Sequence, residues 1–158
     1  FQFPDSQYQD QDYYNISQQN IINASIISDV EDYSFWLGIY CHNINPIAGF
    51  QFELPENLEL LDVEGIRSDD AGFQLHHNKS GLILGFSMSG DAIAPVIDKS
   101  KAENCLLVKL YVKADKQSIF SFPIKTILAG QKGEKLSFKN TEDQLLINDQ
   151  TAFFSFDE

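Results

Sequence analysis

The chain has 158 residues, of which 43% are hydrophobic and 13% aromatic, and its formal net charge is −12. This supports one domain with a sizeable core, argues against disorder over the whole length, and leaves no apolar run of the ~18 residues that a membrane helix needs. Residues 1–66 hold eleven acids and no Lys or Arg, whereas all eleven bases lie in 67–158 among twelve acids, an arrangement that argues against a nucleic-acid reader and against an anionic membrane partner.

The chain opens on Phe rather than Met, which reads as a removed leader or a piece of a longer protein. Residues 1–19, FQFPDSQYQDQDYYNISQQ, have no hydrophobic period and read as a Gln/Tyr-rich arm or linker. Phe1, Phe3, Tyr8, Tyr13 and Tyr14 are the side chains that would seat such an arm on this domain or on a neighbour.

From residue 20 to 158 the dominant period is two. Ile22, Ala24 and Ile26 alternate with Asn23 and Ser25, Phe35, Leu37 and Ile39 with Ser34, Trp36 and Gly38, and Phe50, Phe52 and Leu54 with Gln51 and Glu53. Leu82, Leu84, Phe86 and Met88 alternate with Ile83, Gly85, Ser87 and Ser89, and Leu106, Val108, Leu110 and Val112 with Lys109 and Lys113. Shorter strand candidates are 58–64, with a bulge near Leu60, and 119–124, 136–138, 144–148 and 151–156. Turn-rich segments separate them, and only 91–104 leaves room for a helical insertion, limited by Pro95. The expected fold is all-β: a two-sheet antiparallel β-sandwich of jelly-roll type with about nine strands and an N-terminal arm.

Catalytic signals are weak. Gly85-Phe86-Ser87-Met88-Ser89 nearly matches a nucleophile elbow, but ends in Ser and precedes a poor helix start. His76 and His77 are adjacent and would point to opposite faces of a strand, and His42 stands alone beside Cys41. Asp29, Glu31 and Asp32, and separately Asp69 and Asp70, read as solvated turns rather than calcium loops. No cofactor or metal is expected, and no enzyme. Cys41 and Cys105 allow at most one disulfide. Cys41 shares the inward parity of Leu37 and Ile39, and Cys105 the outward parity of Lys109, which favours two free thiols. Asn-x-Ser triplets at Asn15, Asn23 and Asn78 matter only if the chain passes through a eukaryotic secretory route.

The succession Ile47-Ala48-Gly49-Phe50-Gln51-Phe52, Leu58–Gly65, Ala71-Gly72-Phe73, Leu82–Gly90 and Leu106–Val112 resembles a cohesin domain. Residues 24–40 look like that family's opening strand pair, and Ala152–Phe156 like its last strand. The resemblance implies a non-enzymatic protein-binding and scaffolding module, secreted or on a cell surface, that docks a calcium-loaded dockerin through one sheet face. In cellulosomal cohesins the strand matching Ile47–Phe52 presents Asn and Asp to the dockerin; here those positions are Gly49 and Gln51. By the same carry-over, Ile83, Gly85, Ser87 and Ser89 lie outward on a second strand of the binding sheet. Two other readings stand beside this one. The chain could be a structural subunit of a surface layer, filament or virion that self-assembles through its arm. It could also be a carbohydrate-binding module using Trp36 and Tyr40, which share an outward parity.

Overall fold

The computed structural model describes residues 19–96, 102–115, 118–121, 125–140, 144–147 and 152–155. Residues 1–18 of the arm, with its five aromatic anchors and Asn15, lie outside the described residues. The strands are β1 (Asn20–Ile26), β2 (Ser34–His42), β3 (Gly49–Glu53), β4 (Leu58–Gly65), β5 (Gln74–His77), β6 (Leu82–Phe86), β7 (Leu106–Ala114), β8 (Ser118–Ser121), β9 (Lys125–Ala129), β10 (Lys135–Leu136), β11 (Phe138–Asn140), β12 (Gln144–Ile147) and β13 (Ala152–Ser155).

These strands form a sheet of order β11-β1-β2-β7-β4, a second of order β10-β9-β3-β6-β5, and a three-stranded sheet β13-β12-β8. Pairing is antiparallel throughout, except that β11 runs parallel to β1. The two larger sheets make the expected β-sandwich. The strand beside β1 is β11, and the last strand, Ala152–Ser155, pairs with β12.

Period two places the core. Ile22, Phe35, Leu37, Ile39, Phe50, Phe52, Val108, Leu110 and Val112 are all at most 4% exposed. Their burial supplies the main driving force, at about 25 cal/mol per Å² of apolar surface. Between β1 and β2 the chain reverses through Asp32 and Tyr33, both at positive φ (51° and 64°), with Glu31 and Ser34 exchanging two backbone hydrogen bonds of 2.9 Å. That is the backbone of a two-residue hairpin turn whose twist suits its strands. The register of β4 on β7 slips between Leu60 and Asp62, so Leu61 bulges out of the ladder, 43% exposed.

Helical structure differs from the expectation. A single turn, α1 (Arg67–Asp70), replaces part of the turn foreseen after β4. In 91–104 only the 3-10 turn Ala102–Cys105 is helical, and 97–101 lie outside the described residues. The stretch 91–96 is instead strapped to the sandwich by a pair of backbone hydrogen bonds between Ile47 and Ile93 (3.0 and 2.7 Å).

β7 also departs from simple alternation. Ile39 pairs with Val108 but Tyr40 with Leu106, so Leu107 is an extra, fully buried residue. The bulge puts Leu106 opposite outward-facing Tyr40. It also removes the parity argument for Cys105, which ends the 3-10 turn and is 0% exposed rather than outward.

Candidate binding face

The outer face of the β10-β9-β3-β6-β5 sheet is open, and the strand register lays it out in rows. The first row runs Lys135, Ala129, Gly49, Phe86, Gln74. The second runs Ile127, Gln51, Leu84, His76, and the third Lys125, Glu53, Leu82. The intervening rows face the core: Leu136, Leu128, Phe50, Gly85, Leu75, and below them Thr126, Phe52, Ile83, with His77 of the edge strand at the end of this row but exposed.

The middle of the outer face is largely apolar, with Gln51 set between Ile127 and Leu84. Phe86 is 36% exposed and Ile127 41%, while Leu84, Ala129 and Gly49 are half-buried between them. His76 stacks on Phe86 with ring centroids 5.4 Å apart and planes at 16°. Polar groups rim the patch. Lys125 Nζ lies 3.6 Å from Glu53 Oε2 at one end, and Gln74 and Lys135 are exposed on the two edge strands. An apolar centre with a polar margin is the composition of a protein-docking surface. Met88, 74% exposed, projects from the turn beyond β6.

Gly49 and Gln51 lie on this face, as expected. Ile83 and Gly85 do not: Ile83 is 0% exposed, and Gly85 is buried opposite Phe50. The parity of β6 is therefore the reverse of the expectation, with Leu82, Leu84 and Phe86 turned outward. The physical reason is the Phe50 ring, which covers the position where a Gly85 side chain would project. Ser87 and Ser89 belong to a turn past the strand. The Ser87 hydroxyl donates to Asp91 Oδ2 (3.0 Å) and accepts from the backbone N–H groups of Ser89 (3.2 Å) and Asp91 (3.1 Å). Ser87 thus caps a turn, and no helix follows it in 91–96.

β9 was not foreseen, although Ile127 is one of the largest apolar groups on the face. Lys-Thr-Ile-Leu-Ala places Ile127 outward and Leu128 inward, so both faces are apolar and alternation gives no signal.

The opposite sheet presents a different outer surface. Trp36 and Tyr40 do share its outward side, both half-buried. The Trp36 ring, however, sits 5.0 Å from Lys109 Nζ and tilts 44° to Tyr111. Lys109 in turn reaches Glu64 at 3.3 Å. A ring covered by a cation and tilted to its neighbour is not a flat platform for sugar stacking. Among the acidic turns, Asp32 pairs with Lys113 at 3.4 Å. Among the described residues no cluster of His, Cys, Asp and Glu has the makings of a metal site.

Neither Cys41 nor Cys105 is in a disulfide, and both are buried. Burial pushes the Cys41 thiol up to about 12, and the charge of nearby Arg67 pulls it only partly back. The native state thus holds this proton more tightly than an unfolded chain with the ordinary value of 9.0. The associated stability is complete below pH 9 and is lost as pH rises from 9 towards about 12. The slope is about 1.4 kcal/mol per pH unit for one such thiol. For reduced protein in urea titrations between pH 8 and 11, we therefore expect Cys41→Ala to lose stability more gently than the parent. Parallel curves would contradict this.

No family model and no curated protein sequence matches the chain. Solved structures do match, over most of its length. A non-cellulosomal cohesin from the archaeon Archaeoglobus fulgidus is 10% identical, with a TM-score of 0.56, over 81% of this chain and 90% of that one. The third ScaB cohesin of R. flavefaciens, solved in complex with a group 1 dockerin, is 12% identical, with a TM-score of 0.57, over 80% and 93%. A cohesin of a type I cohesin–dockerin complex from Clostridium thermocellum is 11% identical, with a TM-score of 0.54, over 80% and 96%. Identities this low speak to fold alone, and the matches agree with the two five-stranded sheets described above: the chain is a cohesin-like β-sandwich domain.

Proposed function

We propose that the chain is a non-enzymatic scaffolding module that docks a protein partner, of the calcium-loaded dockerin type, on the outer face of the β10-β9-β3-β6-β5 sheet. The observation that carries this reading is the open apolar patch of Phe86, Leu84, Ile127, Ala129 and Gly49, ringed by Lys125, Glu53, Gln74 and Lys135. The cohesins of similar fold from R. flavefaciens and Clostridium thermocellum were solved with dockerins bound. Secretion or display at a cell surface goes with this role. Gly49 and Gln51 contact the partner, and the anchors beside them are Phe86, Leu84 and Ile127 rather than Ile83 and Gly85.

The test is binding to a panel of dockerin modules, with and without EDTA. Two substitutions probe the face. Gly49→Arg adds bulk at its centre, and the fold accepts a Cβ there, since its nearest neighbour would be Gly85 O at 3.4 Å. Phe86→Asp removes the exposed aromatic anchor. Each is expected to weaken binding at least ~30-fold, the effect of losing a central anchor, with the unfolding temperature little changed. Failure to bind any member of the panel, or binding indifferent to both substitutions, would overturn the proposal.

A further inference from the structure

Cys41 is the next-to-last residue of β2, and Cys105 directly precedes β7. The strands are antiparallel, and their last register pair at this end is Tyr40 with Leu106. Cys41 and Cys105 are the next residues outward on the two chains, so continuing the ladder by one step would set them opposite one another. Both are 0% exposed, so both thiols are enclosed at the same end of the same ladder. Their closeness is also felt electrostatically, since Cys105 is among the groups that raise Cys41. Residues opposite one another in an antiparallel pair have Cβ atoms about 4.5–5.5 Å apart, and a disulfide asks for about 3.5–4.5 Å. The gap is small. It falls where regular pairing has already given way to the bulge at Leu107 and the 3-10 turn, so closing it disturbs little of the ladder.

We propose that Cys41 and Cys105 form an intramolecular cross-strand disulfide when the chain folds in the presence of a disulfide oxidant. One cysteine thiolate attacks the oxidant, forms a mixed disulfide and expels one thiolate. The second cysteine thiolate then attacks the protein sulfur of that mixed disulfide and expels the other. Two protein thiols are oxidised, one oxidant disulfide is reduced to two thiols, and the two protons end on those thiols. The reaction belongs to the folding chain. In the finished fold both cysteines are sealed from solvent, and the thiolate that must attack is suppressed. The same enclosure then protects the bond from reductants. The closed loop carries β3, β5 and β6, three of the five strands of the proposed docking sheet, together with β4 of the other sheet, so the bond would tether them to the β2–β7 pair.

The experiment compares one chain refolded from the reduced, denatured state with oxidised glutathione or with a reductant. Samples are quenched in denaturant with N-ethylmaleimide and weighed intact. The expected result is a monomer without maleimide after oxidative refolding, lighter by two hydrogens, with an unfolding temperature about 10 °C above the reduced form. Two maleimide adducts, glutathione adducts, disulfide-linked dimers or a lower unfolding temperature would each overturn the inference. No substitution is needed, so a folding defect cannot mimic either outcome, and the result does not depend on what binds the sheet.

Discussion

Gly85→Ala is expected to destabilise the domain by about 1–3 kcal/mol, the cost of overfilling a packed core, and Gly85→Val by more. A Cβ at Gly85 would fall on Phe50 Cζ, with Cε2 and Cε1 at 2.6 and 2.7 Å. The ring cannot swing clear. It lies 5.0 Å from Phe52 and 5.9 Å from Phe73, stacked on both. Phe50 is thus held between two aromatic rings and closed off by the one residue that has no side chain. Shortening the ring should relieve the clash. Phe50→Leu alone opens a void and lowers stability, but with Gly85→Ala part of that void is filled. Urea unfolding of the two single variants and the double should show the double less unstable than the sum, by about 1–2 kcal/mol. Strict additivity would mean that the ring does not control the site. Gly49→Ala is the contrast, expected within about 0.5 kcal/mol of the parent as a surface change.

The same pair of residues explains what the sequence made legible and what it did not. Alternation identified β1, β3 and β7 because each has one apolar and one more polar side, and β2 because its inward Phe35, Leu37 and Ile39 alternate with Ser34, Trp36 and Gly38; the β-sandwich followed from their number and spacing. In β6 every position from Leu82 to Phe86 is apolar or Gly. Period two then divides the strand into two sets without saying which is inside. The bulkier set of Leu82, Leu84 and Phe86 had the look of a core, yet it faces outward, because Phe50 occupies the space at Gly85. This sheet carries apolar residues on its solvent side as well as its core side, and that erases the contrast on which alternation depends. β9 escaped notice for the same reason. The bulge in β7 was invisible for a different one: Leu106, Leu107 and Val108 are interchangeable as sequence, and only pairing with β2 shows that Leu107 is the extra residue.

Arg67→Met should be comparably damaging, at about 1–3 kcal/mol, because it strips two partly buried acceptors of a charged donor. The guanidinium Nη1 donates to Cys41 O (2.9 Å), and Nη2 donates to Asn43 Oδ1 (2.9 Å) and Ala94 O (2.8 Å). Asn43 is 0% exposed, and its own Nδ2 donates to Asn45 O (2.9 Å), Ile93 O (3.2 Å) and Ala94 O (3.1 Å). Its backbone carbonyl accepts from Val96 N–H (3.0 Å). Arg67 and Asn43 therefore knit the end of β2, the loop towards β3 and the 91–96 strap into one polar knot. Burial pulls the Arg67 pKa below its ordinary value, but a guanidinium starts so high that it stays charged at neutral pH. The fork shape matters as much as the charge. A lysine ammonium is a single centre on a flexible stem and cannot hold three acceptors spread around a planar fork. Arg67→Lys should thus recover only part of the loss. Hydrogen exchange adds a local readout, since the amides of Ile93 and Val96 should lose protection before the β2–β7 ladder does. Were Arg67→Lys to unfold at the same urea concentration as the parent, or the strap amides to keep their protection in Arg67→Met, the knot would not be what fastens 91–96 to the sandwich.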